Sequence, residues 1–545
     1  MKGKLRLIAA ATMLVFAGTV CAEVSLNGKD MTPEAVARVA SGESVAVTSS
    51  AMHRVRQANQ VLLKAASEGQ MIYGLTVGVG WNKDRKMVDA SGQLTPEIIE
   101  ASRRFNIGLI HAHCGGVGPD LPVTEARAAM AVRLNDLLAG GGGVQPDIVD
   151  HYVQLLNHGI TPAIPNDGSI GEADITLLSH VGLAMMGEGD VYYHGNKVAA
   201  AEALRAEGIA PIQPYGKDAL SILSSNAFSA GQAALALNDM ARLAHVQKLV
   251  YALSLEAMNG NVSPFLADTL ALHPFPETER AGAELRKILD GSSLWQKDAE
   301  RPLQDPLSFR DSVYMIGELD RSLDEARALM HVQLNSSDDN PGVAVGVSPA
   351  SSRDQESRGY LKSGPGAVLP SANFEPLPWV LALEQVQVAL AHNALASAQR
   401  VIKLNDPARS GLSRFLGTED TVHAFGAMEK PLTILAMREK ELAMPASMDY
   451  LPVAGGIEDV ATNAPLVVER LRQQIDYGYQ LLGIEMIHAA QAIDLRQQKQ
   501  KGFTLSTPTQ NLYDALRQQV KFLQTDRPMT PDFRAAADLL RQYPM

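Results

Sequence analysis

Cysteine is almost missing. The 545-residue chain holds two, Cys21 and Cys114, so no framework of disulfides can hold the molecule together and its stability must come from a packed core. Aromatic residues are scarce at 5%, which disfavours a strand-rich architecture and leaves helices as the main element. No apolar run beyond the N-terminus is long enough to span a membrane. Positive charge is in deficit too. A net charge of −12 argues against a nucleic-acid partner. The four glycines of Gly140–Gly143 lack the lysine and the strand–helix setting of a phosphate loop. His111 and His113 stand two apart with no further Cys, His or Asp at ligand spacing, so no metal site is expected.

What is present begins with a leader. Met1-Lys-Gly-Lys-Leu-Arg6 is basic, Leu7 to Val20 carries no charge, and Val20-Cys21-Ala22 precedes Glu23. An apolar stretch of about 14 residues behind a basic start and before small residues is the pattern of a secretory signal peptide. It predicts cleavage after Ala22 and a periplasmic or secreted mature protein with Cys114 as its single cysteine. Helical periodicity runs through Ala219 to Met258, Asp311 to Leu334, Leu377 to Leu404 and Ala464 to Gln498. Such long helices pack most naturally as a bundle. Leu75 to Val88, His113 to Pro122, Gly140 to Pro146, Pro162 to Gly171, Asn335 to Phe374 and Met444 to Ile457 read as loops. The expected organisation is therefore a signal peptide over 1–22, a smaller loop-rich N-terminal domain over 23–215, and a helical bundle over 216–545.

Several motifs fall in those loops. Asp167-Gly-Ser-Ile-Gly-Glu-Ala-Asp174 is similar to G-S-x-G-A-S-G-D-L, and Tyr73-Gly-Leu-Thr-Val-Gly-Val-Gly80 to Y-G-x-N-T-G-F-G. His113-Cys-Gly-Gly-Val-Gly118 parallels H-A-A-G-V-G, Gln304-Asp-Pro-Leu-Ser-Phe-Arg310 parallels Q-D-x-Y-S-x-R, and Asn335-Ser-Ser-Asp-Asp-Asn-Pro341 parallels N-S-x-x-D-N-P. Pro445-Ala-Ser-Met-Asp449 and Ile457-Glu-Asp459 parallel P-A-S-x-D and Q-E-D. In order and spacing the set resembles the histidine/phenylalanine ammonia-lyase (aromatic amino acid lyase) family. That resemblance implies a mainly α long-helix bundle of the fumarase/aspartase-like type, working as a homotetramer whose active sites combine loops from three subunits.

The resemblance fails where the family makes its electrophile. There, Ala-Ser-Gly cyclises and loses water at the Ser to give methylidene-imidazolone (MIO). Here Glu172-Ala173 replaces the triad and one residue is deleted before Asp174. Ala173 has no hydroxyl to lose, so neither MIO nor any other cofactor is expected. Related positions differ as well: the family's MIO-supporting Asn corresponds to Ser224, its second Tyr to Leu307, and its N-F-H-G-x-P loop to Asn373-Phe-Glu-Pro376.

The remaining residues retain usable chemistry. Arg310 offers a bidentate fork suited to a carboxylate, and the resemblance makes it the substrate-carboxylate ligand. Tyr73 is a phenol on a glycine-flanked loop and matches the family's base. Glu458 suits an ammonium or imidazole, and His113 a ring contact or proton shuttle. Gln304, Asn340, Ser224 and Asn373 complete the expected substrate contacts. Cys114 reads as a small buried residue and not a nucleophile.

Without MIO, a lyase needs a nitrogen that already leaves easily, such as a trimethylammonium betaine. One MIO-lacking member of the family, ergothionase, releases trimethylamine from ergothioneine, a thiol-bearing histidine betaine, and the chain resembles it in the missing triad. The expected partner is thus a small amino acid or betaine, converted to an α,β-unsaturated acid. The alternative is a non-catalytic exported binder of an aromatic or imidazole amino acid. The leader generates the first prediction: N-terminal sequencing after cell fractionation should find a mature chain that begins near Glu23 outside the cytoplasm, and a cytoplasmic chain with Met1 intact would contradict it.

Overall fold

A computed structural model describes residues 23–76, 96–355 and 359–545. The leader, the end of the Tyr73 motif and most of the loop expected over Leu75 to Val88 lie outside them. Among the described residues the fold is mainly helical, with short strands at its edges. The longest helices are Ala227–Met258, Ser312–Leu334, Leu377–Leu404 and Ala464–Lys499. Their order in space follows from burial. Ala227–Met258 is buried on nearly every face, as expected of a helix that is apolar all round, and it packs against Ala464–Lys499, Ser312–Leu334 and Val123–Ala139. Ala464–Lys499 in turn meets Leu377–Leu404, Glu429–Leu442 and Thr530–Gln542. One apolar cluster runs through these helices, from Val24 to Leu540.

The helical periodicity over Ala219 to Met258 is interrupted. Asp218–Leu223 and Ala227–Met258 are separate helices, because Ser224 leaves the helical region at φ −93° and ψ 85°. Ser225 and Asn226 then give their hydrogen bonds to Asp338. Side chains of this kind compete with helical bonding wherever a better local partner is offered. Three of the expected loops also contain strands. Val117–Asp120 pairs antiparallel with Pro165–Asp167, and Gly342–Val345 pairs antiparallel with Gly366–Leu369. The second hairpin packs on the Ser49–Ser67 helix through Val61, Leu62, Val343 and Val368; tertiary cover, not strand propensity, stabilises it.

A buried ion network ties the N-terminal region to the bundle. Arg133, fully buried, donates to Asp338 Oδ1 at 3.1 Å and Asp339 Oδ1 at 3.0 Å, and Lys217 Nζ donates to Asp339 Oδ1 at 2.9 Å. Burial alone would raise the Asp339 carboxyl, but Arg133 and Lys217 outweigh it and hold it down to about 2. Arg133 Nη1 also lies 3.9 Å from the fully buried Asp136, so two cations face three carboxyl groups. Asp339 is held down, while burial raises Asp338 and Asp136, a cost that buried charge carries unless every member is paired.

Glu439 has no such compensation. It is fully buried, no charged side chain among the described residues offsets that burial, and its carboxyl is raised well above the ordinary value. The folded chain therefore keeps a proton that the unfolded chain gives up as pH rises through the ordinary glutamate range, and unfolding gains with each further step. Glu439→Gln should leave the thermal midpoint near pH 4 unchanged and raise it at pH 8; an equal shift at both would exclude this cost.

Candidate active site

The segment around Glu172 is held at both ends. Asp174 Oδ2 accepts from the Ser229 backbone N–H at 2.8 Å, so a carboxylate sits in the first turn of the Ala227–Met258 helix, where the dipole favours it. Ser169 Oγ donates to Asp174 Oδ1 at 2.6 Å and accepts from Gly171 N at 3.1 Å. Ala173 N donates to Asn226 Oδ1 at 3.0 Å, and Ala173 O accepts from Ser225 N at 3.3 Å. Asn463 N, just ahead of the Ala464–Lys499 helix, donates to Ile170 O at 2.7 Å. Gly171 is required in this turn: its φ is +86°, and a Cβ would lie 2.6 Å from Ala464 N. Ala173 and Asp174 also take positive φ, at 65° and 30°, a strained backbone for residues with a Cβ.

So pinned, the segment borders a cavity of about 570 Å³ lined by Tyr73, His113, Glu172, Ser224, Asn340 and Glu458, among others. Five of these are residues expected from the sequence. Tyr73 enters just ahead of Gly74, whose φ is +76° and whose absent Cβ would collide with Leu220. His113 closes the Pro96–His113 helix and its Nδ1 lies 2.8 Å from Leu109 O. A carbonyl only accepts, so Nδ1 carries the hydrogen and Nε2 is left as the acceptor of the neutral ring. Glu458 is placed by a backbone bond from Val453 N to its own carbonyl at 2.9 Å, within a loop that Glu384 anchors through Ala446 N and Ser447 N. Asn340 follows directly on Asp339, and its Oδ1 accepts from Ser371 N at 2.9 Å.

Three expected residues lie elsewhere in the subunit. Arg310, on the short Leu307–Arg310 helix, donates to Gln304 Oε1 at 2.6 Å, and neither lines the cavity. Asn373 is exposed and also outside the lining, although its neighbours Ala372 and Phe374 are in it. Cys114 is half-buried, not buried, and burial pushes its thiol up, away from the activated range of a nucleophile.

Two residues not expected from the sequence prove central. Asn226 holds Ala173 through its Oδ1 and Phe374 O through its Nδ2, joining the two loops that flank the cavity. Its signal was its place two residues after Ser224. In the sequence, Glu172 marks only the loss of the family's triad. Burial, then the charges of Glu375, Glu458 and Asp174, push its carboxyl up to about 8, so at neutral pH it is largely protonated. The lining thus offers a phenol, an imidazole and several carboxyl groups, with no Arg or Lys among the described residues: groups suited to moving a proton and to meeting positive charge.

Long helices around a cavity of this chemistry define a carbon–nitrogen lyase. A family model described as aromatic amino acid lyase matches residues 31–518, and the chain belongs to that family. It is 30% identical over 507 residues to a histidine ammonia-lyase of Sorangium cellulosum, covering 92% of this chain and 93% of that one. Its fold matches the ergothioneine-degrading ergothionase of Treponema denticola with a TM-score of 0.85 and 35% identity, over 95% of this chain and 99% of that one. The tyrosine aminomutase of Streptomyces globisporus matches with a TM-score of 0.83 and 28% identity, over 96% and 97%.

The pinning of the segment is open to test. Asn226→Ala leaves the buried Ala173 N–H without its acceptor, and denaturant unfolding should show a loss of about 1–3 kcal/mol; a loss within error of zero would mean that the Asn226 bond does not hold the loop.

Proposed function

We propose that this protein is an exported lyase that works without MIO. It eliminates an amine, trimethylamine in the reading favoured here, from a histidine-like or aromatic amino acid or its betaine and leaves an α,β-unsaturated acid. The observation that carries this reading is the pairing within one cavity of Tyr73, His113 and Glu458 with Glu172 at the place of the family's Ala-Ser-Gly. The residues present do not fit MIO: the segment's serine, Ser169, is engaged with Asp174 and Gly171, and Ala173 has no hydroxyl to eliminate. The likeness to an ergothioneine-degrading enzyme supports a betaine over a free amino acid.

The chemistry follows from the residues. Tyr73 takes the β-proton, the C–H electron pair forms the Cα=Cβ bond, the C–N bond breaks, and its pair leaves on nitrogen as a neutral tertiary amine. His113 Nε2 and Glu458 meet the ring of the substrate. Positioning of the ring against the base supplies a large part of the rate. The substrate carboxylate calls for a cation, which the described lining lacks. Arg310 of a second subunit fills that role in a homotetramer. Supporting this, the Leu377–Leu404 helix exposes Leu377, Leu381, Val388 and Leu395 to between 41% and 49%, a stripe that a neighbouring copy would cover.

Purified mature protein incubated with histidine, phenylalanine, tyrosine and their trimethyl betaines should release trimethylamine from a betaine and develop the ultraviolet absorbance of a conjugated acid. Its intact mass should match the cleaved sequence without the loss of the waters that MIO formation expels. Tyr73→Phe should lower turnover by about 10²- to 10⁴-fold with binding retained, and Arg310→Lys should weaken binding by about 1.5–3 kcal/mol. A wild type that binds but turns over none of these compounds would favour the non-catalytic binder, and full activity in Tyr73→Phe would remove it from the mechanism.

A further inference from the structure

Glu172 is poorly served by its own protein. Its Oε1 is buried without a hydrogen-bond partner among the described residues, although it borders a cavity. Among the described residues every charged group that acts on it is acidic: Glu375 and Glu458, which line the same cavity, and Asp174 on its own segment, with Asp459 also on the lining. The other titratable groups of the lining are His113 and Tyr73. A buried carboxyl oxygen without a donor, surrounded by its own sign of charge, costs stability. A positively charged ligand in the cavity offsets that cost.

The rest of the wall narrows the kind of cation. Ile175, Leu223, Phe374 and Val460 line the same cavity. A primary ammonium needs an acceptor for each of its N–H groups. A quaternary ammonium has none to satisfy; it needs apolar contact for its methyl groups, an aromatic face and a nearby negative charge, and Phe374 and Tyr73 supply the rings. Reactivity points the same way. The proton on a primary ammonium is easier to remove than one on carbon, so a base such as Tyr73 would take it first and leave a poorer leaving group. With a quaternary nitrogen, the proton to be taken is on carbon.

We propose that Glu172 is the specificity-determining residue of this site and selects a substrate whose nitrogen is a permanent quaternary ammonium, an inference that rests on the lyase reading above. Two consequences are specific. Because Glu172 is largely protonated in the free protein, entry of the cation expels its proton. And because the amine leaves neutral, the attraction is strongest before the C–N bond breaks, so Glu172 sets affinity and not rate: its loss raises KM and leaves kcat unchanged or higher.

The test is calorimetric titration of tetramethylammonium into the mature protein at pH 7, in two buffers of different ionisation enthalpy, with tert-butanol as the uncharged counterpart. Glu172→Gln should bind tetramethylammonium on the order of tenfold more weakly and release no proton, while tert-butanol should not distinguish the two proteins. Glu172→Asp, which keeps an ionisable carboxyl, should restore part of the affinity and so separate loss of the carboxyl from misfolding. Equal binding of tetramethylammonium by wild type and Glu172→Gln overturns the proposal. Its failure is distinct from that of the lyase reading. Glu172-dependent binding without turnover of any betaine leaves the cation site and removes the lyase, whereas trimethylamine release by Glu172→Gln at an unchanged KM does the reverse.

Discussion

The structure depends on compensation of the charge buried at Asp338 and Asp339. Arg133 reaches them from the Val123–Ala139 helix and Lys217 from just ahead of Asp218–Leu223. Asp338 also takes the Ser225 hydroxyl and the Asn226 N–H. One pair of carboxylates thus sets the break between two helices, the position of Asn226, and through it the segment that carries Glu172. The next residue along, Asn340, lines the cavity. Removing one partner from such a network costs about 3–5 kcal/mol, because it strands a buried charge. That makes it a rigid foundation for a site whose other parts lie on loops.

On that foundation the site has an unusual electrostatic character. The network uses Arg133 and Lys217 to hold Asp339 ionised, at about 2, while burial raises its neighbours Asp338 and Asp136. Glu172, by contrast, meets among the described residues only burial and like charge and stands at about 8. Asp174, fully buried, is pushed up by burial to about 6 even with hydrogen bonds from Ser169 and Ser229. Buried carboxyl groups thus differ widely: Asp339, which meets both Arg133 and Lys217, is firmly ionised, whereas burial outweighs the partners of Asp338 and Asp136.

Much of this was legible in the residues. The periodicity of Leu377 to Leu404 and Ala464 to Gln498 located helices observed as Leu377–Leu404 and Ala464–Lys499, because long apolar repeats bury in only one way. Tyr73, His113, Ser224, Asn340 and Glu458, each singled out by its motif, line one cavity. The helix break at Ser224 was not legible, since its cause is Asp338, more than a hundred residues away. Nor was the placement of Arg310 and Gln304, which pair with each other at 2.6 Å away from the cavity.

The sequence by itself determined the helical class of the chain, its family, and the loss of a serine at the position where relatives form an electrophile, because these depend on periodicity, motif order and side-chain type. What Glu172 gained in exchange was decided only by the tertiary structure. Whether a glutamate is a solvated anion or a neutral acid depends on burial and on the charges of Glu375, Glu458 and Asp174, and long-range packing brings the first two of these beside it.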